Sequence, residues 1–464
     1  MTTSFQTNAF LNGNFAPVAQ EITETSLTIT GKIPENLQGS FIRNGPNPQF
    51  INLDTYHWFD GDGMLHQVEF QSGNVTYRNR YVKTEGFVKE KAANQPLYGI
   101  LAQMSANSIK NVSNTALAWH HEELLSLWEG GEPYRVNISN LDTLGPETFT
   151  GKLRSPFTAH PKIDPVTGEM MWIGYQLGMP PYLQYGIISP QGELVKTIPI
   201  DLPVGVMMHD FAITENYTIF LNLPLTFRPE KMTQGQSPLQ FETATPSYFG
   251  ILPRHADSCA AIRWFEAPSC FIFHTLNAFE VGDEVILIAC RMAASNVFGP
   301  ADNPEIAAKG DIPFLTRWRF NLKDNSVQEE LLCPIPSEFP RINEAYLGRQ
   351  NRYGYTVSMA SEPMPLMNGI IKHDLETGKF QHYLYESGCY GGEVVFAPNP
   401  EGVAEDDGWL MTFVYNQARD TSELIILSAQ DLDSEVARIV IPQRVPYGFH
   451  GIWVSDAHRL STSA

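Results

Sequence analysis

Cysteine is scarce and unpatterned. Five cysteines (Cys259, Cys270, Cys290, Cys333 and Cys389) occur in 464 residues, an odd number with no CxxC pair, which argues against a disulfide framework and against a cysteine zinc site. A reducing compartment is expected. Basic charge is also short, because 31 Lys and Arg stand against 51 Asp and Glu for a net charge of −20, and the basic residues form no dense run. Nucleic-acid binding depends on clustered cation, so no nucleic-acid partner is expected. No stretch reaches the ~18 uninterrupted apolar residues of a membrane span. The opening MTTSFQTNAFLNGNF has neither the positive n-region nor the apolar h-region of a secretory signal, so a cytoplasmic protein is expected, with any membrane contact peripheral. HExxH, GxSxG and Walker patterns are missing too, and the glycines of FDGDGM (Gly61, Gly63) lie in turn-like sequence with no helix after them. Hydrolase and nucleotide-binding readings lose ground.

What the chain does have is apolar material. Hydrophobic residues make up 43% and charged residues 18%, the composition of a globular protein with a large core. Segments of four to eight β-prone residues recur, separated by Asp, Asn or Gly where the backbone must reverse. Five reversals are legible: Lys162–Trp172, Ile188–Ile198, Phe320–Leu331, His373–Tyr383 and Leu427–Val440. The 33 Pro and 35 Gly are spread over the whole length with no composition shift, which predicts a single domain over residues 1–464. A long run of antiparallel hairpins must protect its sheet edges, and radial repetition of four-stranded blades does so. An all-β propeller is the leading architecture; without WD or Kelch repeats its blades are irregular, and pattern alone leaves a large sandwich open. The one helical pattern singled out is Pro96–Met104, where Leu97, Ile100, Leu101 and Met104 follow i, i+3, i+4, i+7 spacing; it reads as a short helix packed on the sheet or as an apolar lip at a binding-site entrance.

Twelve histidines remain as candidate chemistry. Four have informative flanks: His160 in TAHPKIDPVTGE, His209 in MMHDFAITENY, His274 in CFIFHTLNAFE and His450 in RVPYGFHGIWV. Each lies beside or within apolar, β-prone sequence that would bury the imidazole, and a buried imidazole needs partners for both nitrogens. Any one alone reads as a core histidine bonded to a carbonyl. Four together are harder to dismiss.

From GKIPENLQGSFIRNGPNPQF through YHWFDGDGMLHQV to RVPYGFHGIW, nearly the whole chain resembles the carotenoid cleavage oxygenases. The resemblance implies a seven-bladed β-propeller with a loop and helix cap over a metal centre on its axis. It also implies that His160, His209, His274 and His450 bind a non-haem Fe(II) with O2 as co-substrate. Imidazole suits Fe(II), and four neutral nitrogens leave two octahedral positions open. By motif, the family's three glutamates that hold ligating imidazoles fall on Glu129 (SLWEGGEPY), Glu344 (RINEAYLGRQNRYGY) and Glu393 (GCYGGEVVFAP). Such a carboxylate accepts an Nδ1–H and fixes the ring without touching the metal.

Thr115 in SNTALAWHH matches a position where a methyl stands over an open iron site. Trp128 stands where the stilbene-cleaving branch tends to carry a lysine, and its apolar face leans the substrate toward a polyene. A polyene calls for an apolar tunnel, for which 27 Phe, 18 Tyr and 8 Trp supply material. With a charge of −20, docking at a membrane would be hydrophobic, through the Leu97, Ile100, Leu101 and Met104 face. The expected activity is oxidative cleavage of a conjugated C=C bond of a carotenoid or apocarotenoid by a monomer. The alternatives are a stilbene-cleaving dioxygenase, a retinoid isomerase and a non-catalytic propeller that binds hydrophobic ligands.

Overall fold

A computed structural model describes residues 8–51, 56–99, 109–234, 236–299, 301–307, 310–362 and 364–457. Each of the five predicted reversals is a hairpin. Lys162–Ile163 pairs with Met170–Tyr175, Leu183–Ile188 with Leu194–Ile200, Phe314–Asn321 with Val327–Leu331, and Thr421–Ser428 with Glu435–Ile441, all antiparallel; Met367–Asp374 lies beside Lys379–Leu384. Side-chain pattern decides which strands end a sheet. Leu194–Ile200 alternates buried and exposed residues at a sheet edge, whereas Gly39–Pro46 is buried throughout and lies between two neighbours.

The chain divides into two compact units, residues 1–148 with 359–372 and 381–464, and residues 149–358 with 373–380. In the first, a five-stranded sheet runs Thr23–Glu24, Asn74–Tyr81, Gly63–Gln71, Gly39–Pro46, Gly451–Ser455. Its last pair joins the two ends of the chain, with Ile42 opposite Ile452 and Arg43 opposite Gly451. A six-stranded sheet contains Gly408–Asn416 and Thr421–Ser428, and a four-stranded one begins with Ala116–His120 and Glu123–Leu127. Phe41, Phe70 and Tyr77 of the five-stranded sheet pack with Met411, Leu424 and Ile439 of the six-stranded sheet in one buried cluster.

The second unit holds three four-stranded sheets, which begin at Lys162–Ile163, Ala212–Ile213 and Phe271–Val281, and a two-stranded ribbon, Leu225–Phe227 with Leu239–Phe241. One more four-stranded sheet runs Ser337–Arg341, Tyr353–Met359, Met367–Asp374, Lys379–Leu384. Seven sheets therefore have four or more strands, and they are the blades of a seven-bladed β-propeller. The cysteines are unpaired, four of them buried, as their scarcity suggested.

The helix prediction needs correction. Pro96–Gly99 is not helical; the helix lies earlier, at Glu85–Ala93, with Thr84 capping the Phe87 N–H and Asn94 closing it at φ 52°. Thr84, Glu85, Lys91 and Asn94 are ordinary start and stop signals, but weak amphipathicity hid the turns between them. Leu97 is exposed, and its N–H donates to the buried Glu90 carboxylate at 2.9 Å. Ile100, Leu101 and Met104 lie outside the described residues.

One ion pair in the second unit yields a pH prediction. Asp164, in the turn after Lys162–Ile163, accepts Arg254 Nη1 at 2.6 Å and the Val166 and Thr167 N–H groups at 2.8 and 3.1 Å. Burial alone would raise its pKa, but these donors outweigh burial and lower it from 3.8 to about 2. A depressed carboxylate stabilises the fold above its unfolded pKa, and that stability is lost as pH falls through the folded value. Asp164→Asn leaves the buried Arg254 without its carboxylate and is expected to cost roughly 3–5 kcal/mol near neutrality. In denaturant titrations the gap to wild type should narrow by roughly 2 kcal/mol as pH falls from about 4 toward about 2; a pH-independent gap would remove the carboxylate's charge as the cause.

Candidate metal centre

Each of the four candidate histidines comes from an end strand of a different sheet. His160 stands two residues before Lys162–Ile163, His209 three before Ala212–Ile213, and His450 immediately before Gly451–Ser455; His274 lies inside Phe271–Val281. The first two stand in loops just ahead of their strands, whereas the His450 backbone is held, its carbonyl accepting the Asn44 N–H at 2.9 Å. His274 needs another device, a break in register between Ile272 and Thr275 that turns its ring.

His160 Nε2 lies 3.0 Å from His209 Nε2. The rings of His160, His209 and His274 meet edge to face, with centroids 4.6 to 5.1 Å apart. His450 joins them, and one ligand atom from each of the four lies within 4.8 Å of the others. Two buried carboxylates fix the orientation of two rings. Glu338 Oε2 is 2.6 Å from His274 Nδ1, and Glu393 Oε1 is 2.8 Å from His450 Nδ1 while its Oε2 accepts the Gly451 N–H at 2.7 Å. With Nδ1 engaged, Nε2 is the nitrogen left to bind a metal. The donor set fits a first-row divalent ion: four imidazoles suit it, and 3.0 Å is the separation of two nitrogens at right angles about an ion ~2.1 Å from each.

A second network ties three of these segments together. Asp210, next to His209, pairs with Lys162 Nζ at 2.7 Å and accepts both the N–H and the hydroxyl of Thr275 at 2.8 Å. Lys162 is two residues from His160, and Thr275 adjoins His274. Burial would raise the Asp210 pKa, but Lys162 and the Thr275 N–H outweigh it, so the carboxyl stays below its ordinary value. Asp210→Ala should therefore cost about 3–5 kcal/mol, the penalty for stranding a mostly buried cation, read as a lower denaturation midpoint of the metal-free protein. A loss within ~0.5 kcal/mol would mean that the network carries no stability. Sequence inspection passed over Asp210, although HD next to a candidate ligand in apolar surroundings was a usable signal.

Of the three predicted glutamates, Glu393 is buried and engages a ligand. Glu344 requires correction: its side chain is half exposed, at 55%, and pairs with Arg341 at 3.0 Å. Glu338, six residues upstream, holds His274 instead. Glu338 lies where an ordinary strand would alternate, but the register breaks between Glu338 and Arg341 and Phe339 takes φ 50°. That left-handed conformation is costly for a bulky residue. It brings the Phe339 N–H onto Glu338 Oε2 and stacks the Phe339 ring on His274 at 5.1 Å. Pro340 inside a strand run was the legible sign of a bulge. Glu129 and Trp128 follow the strand Glu123–Leu127, both half-buried, with the Trp128 ring folded over Gly130. Thr115 receives the His450 N–H on its carbonyl at 3.1 Å and donates its hydroxyl to Asn114 Oδ1 at 3.0 Å. No helix among the described residues is long and apolar enough to cross a membrane.

The family model described as Retinal pigment epithelial membrane protein matches residues 15–455. The chain is 39% identical to a carotenoid 9,10(9',10')-cleavage dioxygenase of Crocus sativus, over 96% of this chain and 89% of that protein. It is 34% identical to a carotenoid cleavage oxygenase of Mycobacterium tuberculosis, over 96% and 97%. Among solved structures, a lignostilbene dioxygenase of Pseudomonas brassicacearum superposes with a TM-score of 0.89 at 31% identity, covering 97% of this chain and 99% of that one. A cobalt-substituted apocarotenoid oxygenase of Synechocystis gives 0.83 at 31% identity, covering 95% and 97%.

Proposed function

Because the chain belongs to the carotenoid cleavage oxygenase family, we propose that it is a non-haem Fe(II) dioxygenase that cleaves one conjugated C=C bond of a carotenoid or apocarotenoid. The C=C and O–O bonds break and two C=O bonds form, so both atoms of O2 enter the products and no external reductant is consumed. The observation that carries this reading is the group of four histidines, two of them anchored by buried carboxylates. Fe(II) bound there supplies the redox chemistry with O2 that protein side chains lack.

The chain's own residues hold and enclose. Glu338 and Glu393 fix two rings and return negative charge to the site; Glu129 serves as the third such carboxylate, supported by its place in the SLWEGG motif. The Thr115 hydroxyl is held by Asn114, so its methyl is the arm left to limit where O2 or water approaches. Aromatic surface lies close to the ligands. Phe449, beside His450, packs on Trp58 and Phe59 at 4.6 and 5.6 Å, and Phe273 meets the His209 ring edge-on at 5.4 Å. An apolar polyene matches such walls, and Trp128 extends them. Exposed Leu97 supports an apolar entrance that contacts a membrane peripherally. The likeness to a lignostilbene dioxygenase keeps stilbene cleavage as the second reading, against which Trp128 stands.

The test is incubation of iron-loaded protein with an apocarotenal and, separately, a hydroxystilbene under O2. Two shorter carbonyl products from the apocarotenal alone support the proposal. Cleavage of the stilbene alone, or isomerisation without cleavage, overturns it.

A further inference from the structure

Among the described residues, three Lys or Arg side chains are buried: Arg43, Arg254 and Lys372. Two of them have a carboxylate partner, Arg254 with Asp164 and Lys372 with Asp406, each at 2.6 Å. Arg43, only 5% exposed, makes no salt bridge among the described residues, and its buried Nε has no hydrogen-bond partner. A buried ion without a counter-charge is costly, and folded proteins pair such groups.

The surroundings of Arg43 explain what is missing. One face of the guanidinium is covered by Gly448, where an added Cβ would lie 2.5 Å from Cζ, and the Phe413 ring centroid is 5.7 Å from the same atom. Arg43 borders a small pocket that it shares with Asn14, Tyr390, Glu393, Thr412 and Tyr447, with room for little more than one water-sized species. The nearby charges do not compensate it. Glu393 is committed to His450 and the Gly451 N–H. Arg444 adds a second cation, turned to Asn14 Oδ1 and the Pro17 carbonyl, and the exposed Asp420 carboxylate lies 4.0 Å from its Nε rather than on Arg43. Burial, then the positive fields of Arg43 and Arg444, hold the His66 imidazole far below its ordinary pKa and therefore neutral. The Tyr447 phenol, raised by burial, also stays neutral and remains a donor.

We propose that this pocket binds a small monovalent anion, of the size of chloride or bromide, on the Arg43 guanidinium. The pocket is too small for phosphate or sulfate, and a water would leave the charge uncompensated. The ion would neutralise the side chain that supports Gly448, two residues before His450, and so stabilise the closure between the strands Gly39–Pro46 and Gly451–Ser455. The proposal is independent of the cleavage activity.

The experiment has two arms on the full-length protein. Crystals grown with bromide in place of chloride should give an anomalous peak within hydrogen-bond distance of Arg43; a water at that position with no anomalous signal would overturn the proposal. In solution, thermal melting is followed while chloride replaces gluconate at constant ionic strength. Wild type should be stabilised progressively, with the logarithm of chloride concentration above the dissociation constant, reaching about a hundredfold in the folding equilibrium at one hundred times that constant. Arg43→Gln should show no such dependence, and equal melting of wild type in chloride and gluconate would also overturn the site. If the variant does not fold, the bromide arm on wild type decides.

Discussion

Glu338→Gln is expected to lower metal affinity or turnover about 10- to 100-fold, the usual consequence of removing a partner that orients a ligating imidazole. Glutamine keeps the shape but can offer its amide nitrogen to Nδ1, and it loses the negative charge 2.6 Å from the ring. The His274 ring is then free to turn or to shift its tautomer. Glu344→Gln is the contrast. Its carboxylate is half exposed and pairs with Arg341 on the surface, so its loss should fall within ~0.5 kcal/mol in stability and leave metal content unchanged. Equilibrium competition with a chelator, run on both variants, separates the two residues that motif spacing confused. A large effect at Glu344 with none at Glu338 would reverse the assignment.

The larger effect belongs to the ligands. His450→Ala removes one of four donors and should lower bound metal to about a tenth of wild type or less, because site affinity depends on ligand count and geometry. The substitution also takes the His450 ring away from the buried Glu393 carboxylate, which keeps the Gly451 N–H, so the melting temperature should fall as well. Metal is therefore measured on the folded fraction after size exclusion in the cold. His373→Ala is the control: this histidine is buried and bonded to Thr356 at 2.8 Å but lies outside the group of four. It should lose stability and keep its metal. Equal metal retention by both variants would exclude His450 as a ligand.

These contrasts mark where the sequence was legible. Turn chemistry identified five hairpins because Asp, Asn and Gly act locally, and the flanks of His160, His209, His274 and His450 were distinctive because burying an imidazole demands apolar neighbours. Glu338 was missed because a bulge, not the strand period, aims it, and bulges follow from backbone strain at Phe339 that periodicity does not encode. Asp210 was missed because its partners, Lys162 and Thr275, are 48 and 65 residues away in sequence. The helix Glu85–Ala93 was passed over in favour of Pro96–Met104 because an apolar stripe is easier to see than caps around a polar helix. Arg43 carries no mark within GKIPENLQGSFIRNGPNPQF, since no residue type announces that a counter-charge is absent.

The most direct test of the central claim is a reconstitution titration. Chelator-stripped protein receives increasing Fe(II), and the rate of apocarotenal cleavage under O2 is plotted against bound iron. The account predicts no turnover at zero iron, a rate rising linearly to saturation at one ion per chain, and no turnover at any loading when O2 is withheld. Cleavage by the metal-free protein at the rate of the loaded one would contradict it.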